Sequence, residues 1–195
     1  MSFSTKPQSR KTKRTQRGYT MIEVAMAMGV LAVGATGVIA MQKVAVVGNA
    51  SARSISASTA IANRWAERLR ADAMVWNSAQ PSDINETRWL KTAAISPDVW
   101  TLPAAYANQA SPEADPIGAD IVDAADPAIT AYCTHIRYRF ITPKMINSTI
   151  RVTYRRNFDA IDCAAPILFD MTADIAQAGY GAVYITTGSM VQELP

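Results

Sequence analysis

Glu23 is the residue of this chain with the most chemistry to explain. It lies five residues after Gly18, and Val24 to Met41 follow it without a charge. An ionised carboxylate in a membrane helix costs on the order of 2.5–3.5 kcal/mol at the bilayer centre and less near an interface. Glu23 therefore needs an opposite charge or a route to water. Residues 1–18 hold Lys6, Arg10, Lys11, Lys13, Arg14 and Arg17 and no acid. Other reactive side chains are few: Cys133 and Cys163 are the two cysteines, and His135 is the single histidine. With no nucleophile–base constellation, Gly-rich phosphate loop or metal-ligating cluster, the chain reads as a non-enzyme without cofactor or metal.

The element that carries Glu23 is an apolar helix. Tyr19 to Met41 is 23 residues with one charge. At about 1.5 Å per residue such a helix reaches roughly 35 Å, enough to cross a hydrocarbon core of about 30 Å. The basic flank predicts that its N-terminal end stays in the cytoplasm and that the bulk of the chain is exported. A secretory signal cleaved at Ala50-Ser51-Ala52 fits poorly, because the apolar run is too long and contains Glu23. A plain anchor leaves Glu23 unexplained. Ala25, Gly29, Ala32, Thr36 and Ala40 form a stripe of small residues suited to close helix packing.

Arg17-Gly18-Tyr19-Thr20-Met21-Ile22-Glu23 resembles the class III signal of type IV pilins. The family pattern is a short basic leader, Gly, Phe, Thr, two apolar residues and Glu; here Tyr19 replaces Phe and keeps the aromatic ring. The resemblance implies that a prepilin peptidase cuts after Gly18, that Tyr19 becomes the methylated first residue, and that the helix is retained. It assigns Glu23 to assembly, as partner of the amine released at Tyr19 on the same or an adjoining subunit. An unpaired charge in such a packed setting costs several kcal/mol, so the pair would set register.

The expected organisation is a leader at 1–18, a membrane and assembly helix at 19–42, and an exported domain at 43–195. The helix is expected to run on to about Trp76, because the stretch from Lys43 lacks proline. Ser58, Ile61, Ala62, Trp65, Leu69 and Ala73 share one face, with Arg64, Glu67, Arg68 and Asp72 mostly off it. Ala66-Glu67-Arg68-Leu69-Arg70-Ala71 is similar to a segment of the V-type minor pilins, the type IV pilus modification proteins, and a related segment occurs in the I-type pseudopilins of type II secretion. Residues 77–130 carry six of the ten prolines and read as a long irregular loop anchored by Trp89, Leu90, Val99 and Trp100.

Beyond Cys133, alternation predicts strands. Ile136, Tyr138 and Phe140 alternate with His135, Arg137 and Arg139; Ile150, Val152 and Tyr154 alternate with Arg151, Thr153 and Arg155. Thr142 to Thr149 supplies a turn, and Gly181 to Gly188 a third strand. The fold class is α+β, a long N-terminal helix packed on a small antiparallel sheet, pilin-like. The apolar strand faces cover the helix stripe. The polar face, with His135 exposed on it, collects Arg137, Arg139, Arg151 and Arg155 near Lys144 and Arg156, and the aromatics point away from it. In an oxidising compartment Cys133 and Cys163 are expected to pair, closing 31 residues counting both ends and stabilising by about 3–4 kcal/mol; two separate buried thiols are the alternative.

The charge of +3 belongs largely to the leader. Removing its six bases from nineteen leaves thirteen against sixteen acids, so no global attraction to nucleic acid follows. The resemblance implies a minor pilin that primes or caps a type IV pilus, first in the inner membrane with its domain in the periplasm, then on the pilus at the cell surface. Its partners would be the prepilin peptidase, other pilins and minor pilins, and a tip adhesin. The alternatives are a pseudopilin of a type II secretion system and a filament-displayed subunit whose arginine face binds DNA or a surface.

Overall fold

The computed structural model describes residues 18–78, 83–106, 109–121 and 129–190. The basic part of the expected leader, residues 1–17, lies outside the described residues, as do Pro81 and Pro127. The chain divides into two compact units, Met1–Val47 and Gly48–Pro195.

Helix α1 is Met21–Ser78. Between Pro7 and Pro81 no proline interrupts it. Its described residues up to Asn49 are all exposed. From Ser54 onward a buried stripe appears: Ser54, Ser58, Ile61, Ala62, Trp65, Ala66, Leu69, Asp72 and Trp76. The spacings of three and four place these on one side of the helix. The predicted stripe is present, with Asp72 inside it rather than off it. At the C-terminal end, Ser78 Oγ donates to Val75 O and Asn77 Nδ2 to Ala73 O, adding side-chain bonds to the last turns.

The sheet has strands β1 (Trp100–Thr101), β2 (Glu113–Ala114), β3 (Tyr132–Thr142), β4 (Met145–Arg155) and β5 (Tyr180–Met190). The order is β1-β3-β4-β5, with β2 also on β3, and all pairs are antiparallel. This is the expected α+β arrangement of a long helix on a small antiparallel sheet. Even-numbered residues of β3 and β4 form the helix-side core: Tyr132, Ile136, Tyr138, Ile146, Ile150, Val152 and Tyr154 join Ile61, Trp65 and Leu69. Gly181 sits opposite Tyr154, where a Cβ would lie 2.3 Å from the tyrosine ring, so only glycine fits.

Two expectations need correction. The β3–β4 turn is not the whole of 142–149: Thr142 pairs with Met145, leaving Pro143 and Lys144 to turn, while Asn147 and Ser148 are strand residues. Alternate burial of Ile146, Ser148 and Ile150 extends the strand to the turn. Residues 77–130 are mostly without regular structure where described. They contain a 3₁₀ turn at Ile84–Glu86, a short helix α2 at Thr92–Ile95, and β1 and β2 against β3. Trp89, Leu90 and Trp100 are buried anchors, but Val99 is exposed.

The outer face of the sheet is also covered. Residues 156–179, which include a 3₁₀ turn at Pro166–Leu168, lie across it. Cys133, Ile161, Cys163, Leu168, Ile175 and Tyr180 form a second apolar cluster there. Strand alternation alone could not reveal this layer, because it comes from a segment without a periodic pattern.

Candidate functional site

The N-terminal site is built on the first turn of α1. Gly18, Tyr19 and Thr20 precede the helix, and Thr20 O accepts the N–H groups of Glu23 (3.0 Å) and Val24 (3.2 Å). Glu23 falls in the first turn, where unpaired N–H groups create a partial positive charge that favours a carboxylate. Tyr19 is 82% exposed, and a Cβ built on Gly18 meets nothing within 4 Å. Gly18 and Tyr19 are both exposed. Tyr19, Glu23, Val24, Ala27, Met28 and Leu31 line one shallow groove, so Tyr19 and the acid share one side of the segment. One 18-residue window of α1 has mean hydropathy 2.1 and is 0% buried. Nothing within the described chain covers this apolar surface.

The second cluster lies on the outer sheet face. Cys133 and Cys163 form a disulfide with Cα atoms 5.3 Å apart, which ties the 156–179 layer to β3. His135, expected on an exposed face, is fully buried under that layer. Its Nε2 is 3.1 Å from Cys163 O, an acceptor only, so Nε2 carries the proton. Phe169 meets the ring edge-on at 4.9 Å between centroids. Burial, with the charge of Arg151 added, lowers the His135 pKa to about 4, partly opposed by the Cys163 bond. The imidazole is neutral near pH 7, and its buried Nδ1 meets no partner among the described residues.

The predicted arginine face is not a uniform positive surface. Arg151 is buried, donates to Leu168 O and stacks on Trp100 at 4.1 Å. Burial lowers its pKa, with Tyr184 acting against that shift. Arg137 lies over Trp100 at 5.4 Å and 3.7 Å from Asp98, and Arg155 lies over Tyr180 at 5.4 Å. Among the described residues, Arg139 alone of the four strand arginines makes no ion pair or ring contact, and it is exposed. Nor do all aromatics point away: Trp100, Tyr180 and Tyr184 share the arginine side, with Trp100 and Tyr184 6.2 Å apart. For Trp100 the cause is β1, a two-residue strand too short for its side-chain direction to be read from alternation, whereas Tyr180 and Tyr184 come from β5.

Two positioning carboxylates escaped the sequence reading. Asp72 accepts the backbone N–H groups of Arg88 (2.8 Å), Trp89 (2.7 Å) and Leu90 (2.9 Å). It pins the post-helix segment so that Trp89 meets Trp65 edge-on at 5.5 Å. Its place three residues after Leu69 and four before Trp76 was the available signal. Asp120 pairs with Arg64 (3.4 Å) and with Arg68; a contact spanning more than fifty residues leaves no local mark. Among the described residues no group of three or more His, Cys, Asp or Glu could hold a metal ion.

Residues 13–39 match the family model described as the prokaryotic N-terminal methylation motif. The match begins within the basic leader and covers Gly18, Tyr19, Glu23 and most of the apolar run. It supports a type IV pilin-like family, as a pilin or a pseudopilin. The motif implies processing by a prepilin peptidase and assembly with other pilins, and with one apolar helix near the N-terminus it fits membrane anchoring. Comparison with curated proteins and with solved structures gives no match.

Proposed function

We propose that this chain is a minor pilin, a structural subunit that helps prime or cap a type IV pilus. The observation that carries the reading is the methylation motif placed on an apolar helix that the described chain leaves uncovered, with Glu23 in its first turn. Prepilin peptidase hydrolyses the Gly18–Tyr19 amide on the cytoplasmic side, and the new Tyr19 amine is methylated. The helix then leaves lipid for a bundle of subunit helices. Glu23, costly in hydrocarbon, meets the cationic amine of its own or an adjoining subunit, and apolar helix surface packs around the pair. The domain from Gly48 onward stays outside and presents its surface at the pilus end, where a tip adhesin is the fitting partner. The Ala66–Ala71 segment is similar to that of V-type minor pilins, with a related segment in the I-type pseudopilins, so the choice between pilus and secretion rests on the deletion strain below.

Purified protein should begin at Tyr19 by intact mass, with one methyl group added. A chain beginning at Met1 or Arg53 would sink the proposal. Glu23→Ala should be inserted and cleaved like the wild type, yet be recovered with sheared pili at least about tenfold less, since the lost interaction is worth several kcal/mol. Normal recovery would reject the charge pair. A deletion strain that lacks protein secretion but keeps surface pili would move the chain to the pseudopilins of type II secretion.

A further inference from the structure

β5 forms one edge of the sheet. Its sequence, Tyr180-Gly181-Ala182-Val183-Tyr184-Ile185-Thr186-Thr187-Gly188-Ser189-Met190, contains no charge and no proline. The register with β4 runs through all eleven pairs without a shift. Edge strands are ordinarily guarded by Lys, Pro, a bulge or a covering element, because their free N–H and C=O groups invite another strand. None of the first three guards is present in β5.

The direction of the free groups can be derived. Arg156 N–H donates to Gly179 O at 3.0 Å, which makes Arg155–Tyr180 a non-hydrogen-bonded pair of the antiparallel ladder. From there odd-numbered residues of β5 bond to β4 and even-numbered residues aim their backbone groups outward. The two ends are closed: Tyr180 N–H donates to Ile175 O (3.0 Å), and Met190 O accepts from Asn77 Nδ2 (3.1 Å). Between them, the outward N–H and C=O groups of Ala182, Tyr184, Thr186 and Gly188 meet no partner among the described residues. Tyr184, Thr186 and Gly188 are exposed, and a Cβ on Gly188 would meet nothing within 4 Å.

We infer that the Ala182–Gly188 edge of β5 receives an extended strand from another protein subunit, which lengthens the sheet by one strand. Donors and acceptors repeating at every second residue are matched by another extended backbone. The receiving length is seven residues, roughly 23 Å of strand. The incoming segment is uncharged, because the edge offers no counter-charge and an unpaired ion placed there would lose its water. Antiparallel pairing of two β5 edges about Ile185 in two copies of this chain would satisfy the same groups, and the Thr186→Cys variant below tells that outcome apart. That the donor is a fellow subunit of the filament rests on the function proposed above.

The test compares full-length protein in membranes from the producing cells with the same protein purified alone in detergent, by residue-resolved hydrogen exchange. The amides of Ala182, Tyr184, Thr186 and Gly188 should exchange at least about tenfold more slowly in the membranes, while Val183, Ile185 and Thr187 stay slow in both. Thr186→Pro removes only an outward N–H, so its melting temperature should match wild type while protection at Tyr184 and Gly188 disappears. Should Pro at this position unfold the sheet, Thr186→Lys serves the same purpose. Equal exchange of the four amides in both samples overturns the inference, as does a copy-to-copy disulfide formed through Thr186→Cys. Intact mass on the same samples reads the processing step separately: a chain starting at Met1 with protected amides would fail the function and keep the edge.

Discussion

The two parts of α1 both carry apolar side chains and have opposite fates. Up to Asn49 the helix is apolar and exposed throughout its described length; from Ser54 it buries nine residues. The difference lies in what the chain supplies. The later part meets β3 and β4, whose even-numbered side chains fill against Ile61, Trp65 and Leu69. The earlier part is offered no sheet and no second helix by the described residues. Its apolar atoms favour leaving water as strongly as those of the later part, so their partner must be lipid or other chains. One helix thus holds a folding interface and an association interface in series, and a substitution should act on the process that its own part serves.

Trp65 gives the largest expected effect on folding. It is fully buried, touches Trp89 and lies under Arg68, whose guanidinium is 4.8 Å from the ring. Trp65→Ala should lower unfolding stability by about 3–5 kcal/mol, measured by chemical denaturation with tryptophan fluorescence or far-ultraviolet dichroism. Leu31 is 72% exposed. Leu31→Ala should leave that transition within about 0.5 kcal/mol of wild type while weakening recovery with sheared pili. If both variants shift the same transition equally, the division between the two parts fails.

How much of this was legible follows the same division. The apolar run, Gly18 and Glu23 lie close together in sequence, and periodicity was enough to place the stripe from Ser58 to Leu69. Two-residue alternation gave β3, β4 and β5, although it shortened β4 by treating Asn147 and Ser148 as turn. The outer face was misread because its cover is remote and aperiodic. His135 and Arg151 look like solvent-facing polar residues until 156–179 is laid over them, and the Cys133–Cys163 pair was the sole sequence hint that such a layer exists. Asp72 was hidden differently. It occupies an apolar stripe position, and its value comes from three backbone N–H groups sixteen to eighteen residues away.

The disulfide sharpens the contrast at the next magnitude. It closes a long loop, so its removal should cost about 3–4 kcal/mol through the unfolded chain. Cys163→Ala paired with Cys133→Ala should lower the melting temperature of the exported domain and raise the proteolytic sensitivity of 156–179, read by fragment mass. Membrane insertion and cleavage at Tyr19 should continue, because neither step uses the outer layer. Loss of cleavage in the double variant would couple the outer layer to the N-terminal segment.

Acid supplies the smallest and most selective probe. His135 has a folded pKa of about 4 against an ordinary value of 6.5. Between those values the unfolded chain binds a proton that the folded chain refuses, so stability falls as pH drops through this window and the contribution levels off below about pH 4. The full difference is about 3 kcal/mol. The charge that opposes protonation is Arg151, and protonated Nδ1, which has no partner, would be left as a buried donor. His135→Gln should flatten the slope between pH 6.5 and 4, seen as a smaller change in denaturation midpoint than wild type shows. Wild type and variant should still share any slope set by carboxylates, so the difference between the two curves isolates the histidine. Leu31→Ala leaves His135 and its cover in place and should retain the wild-type curve. A pH curve for His135→Gln that overlays wild type would mean that the imidazole is solvated in solution and that the outer layer does not close over β3.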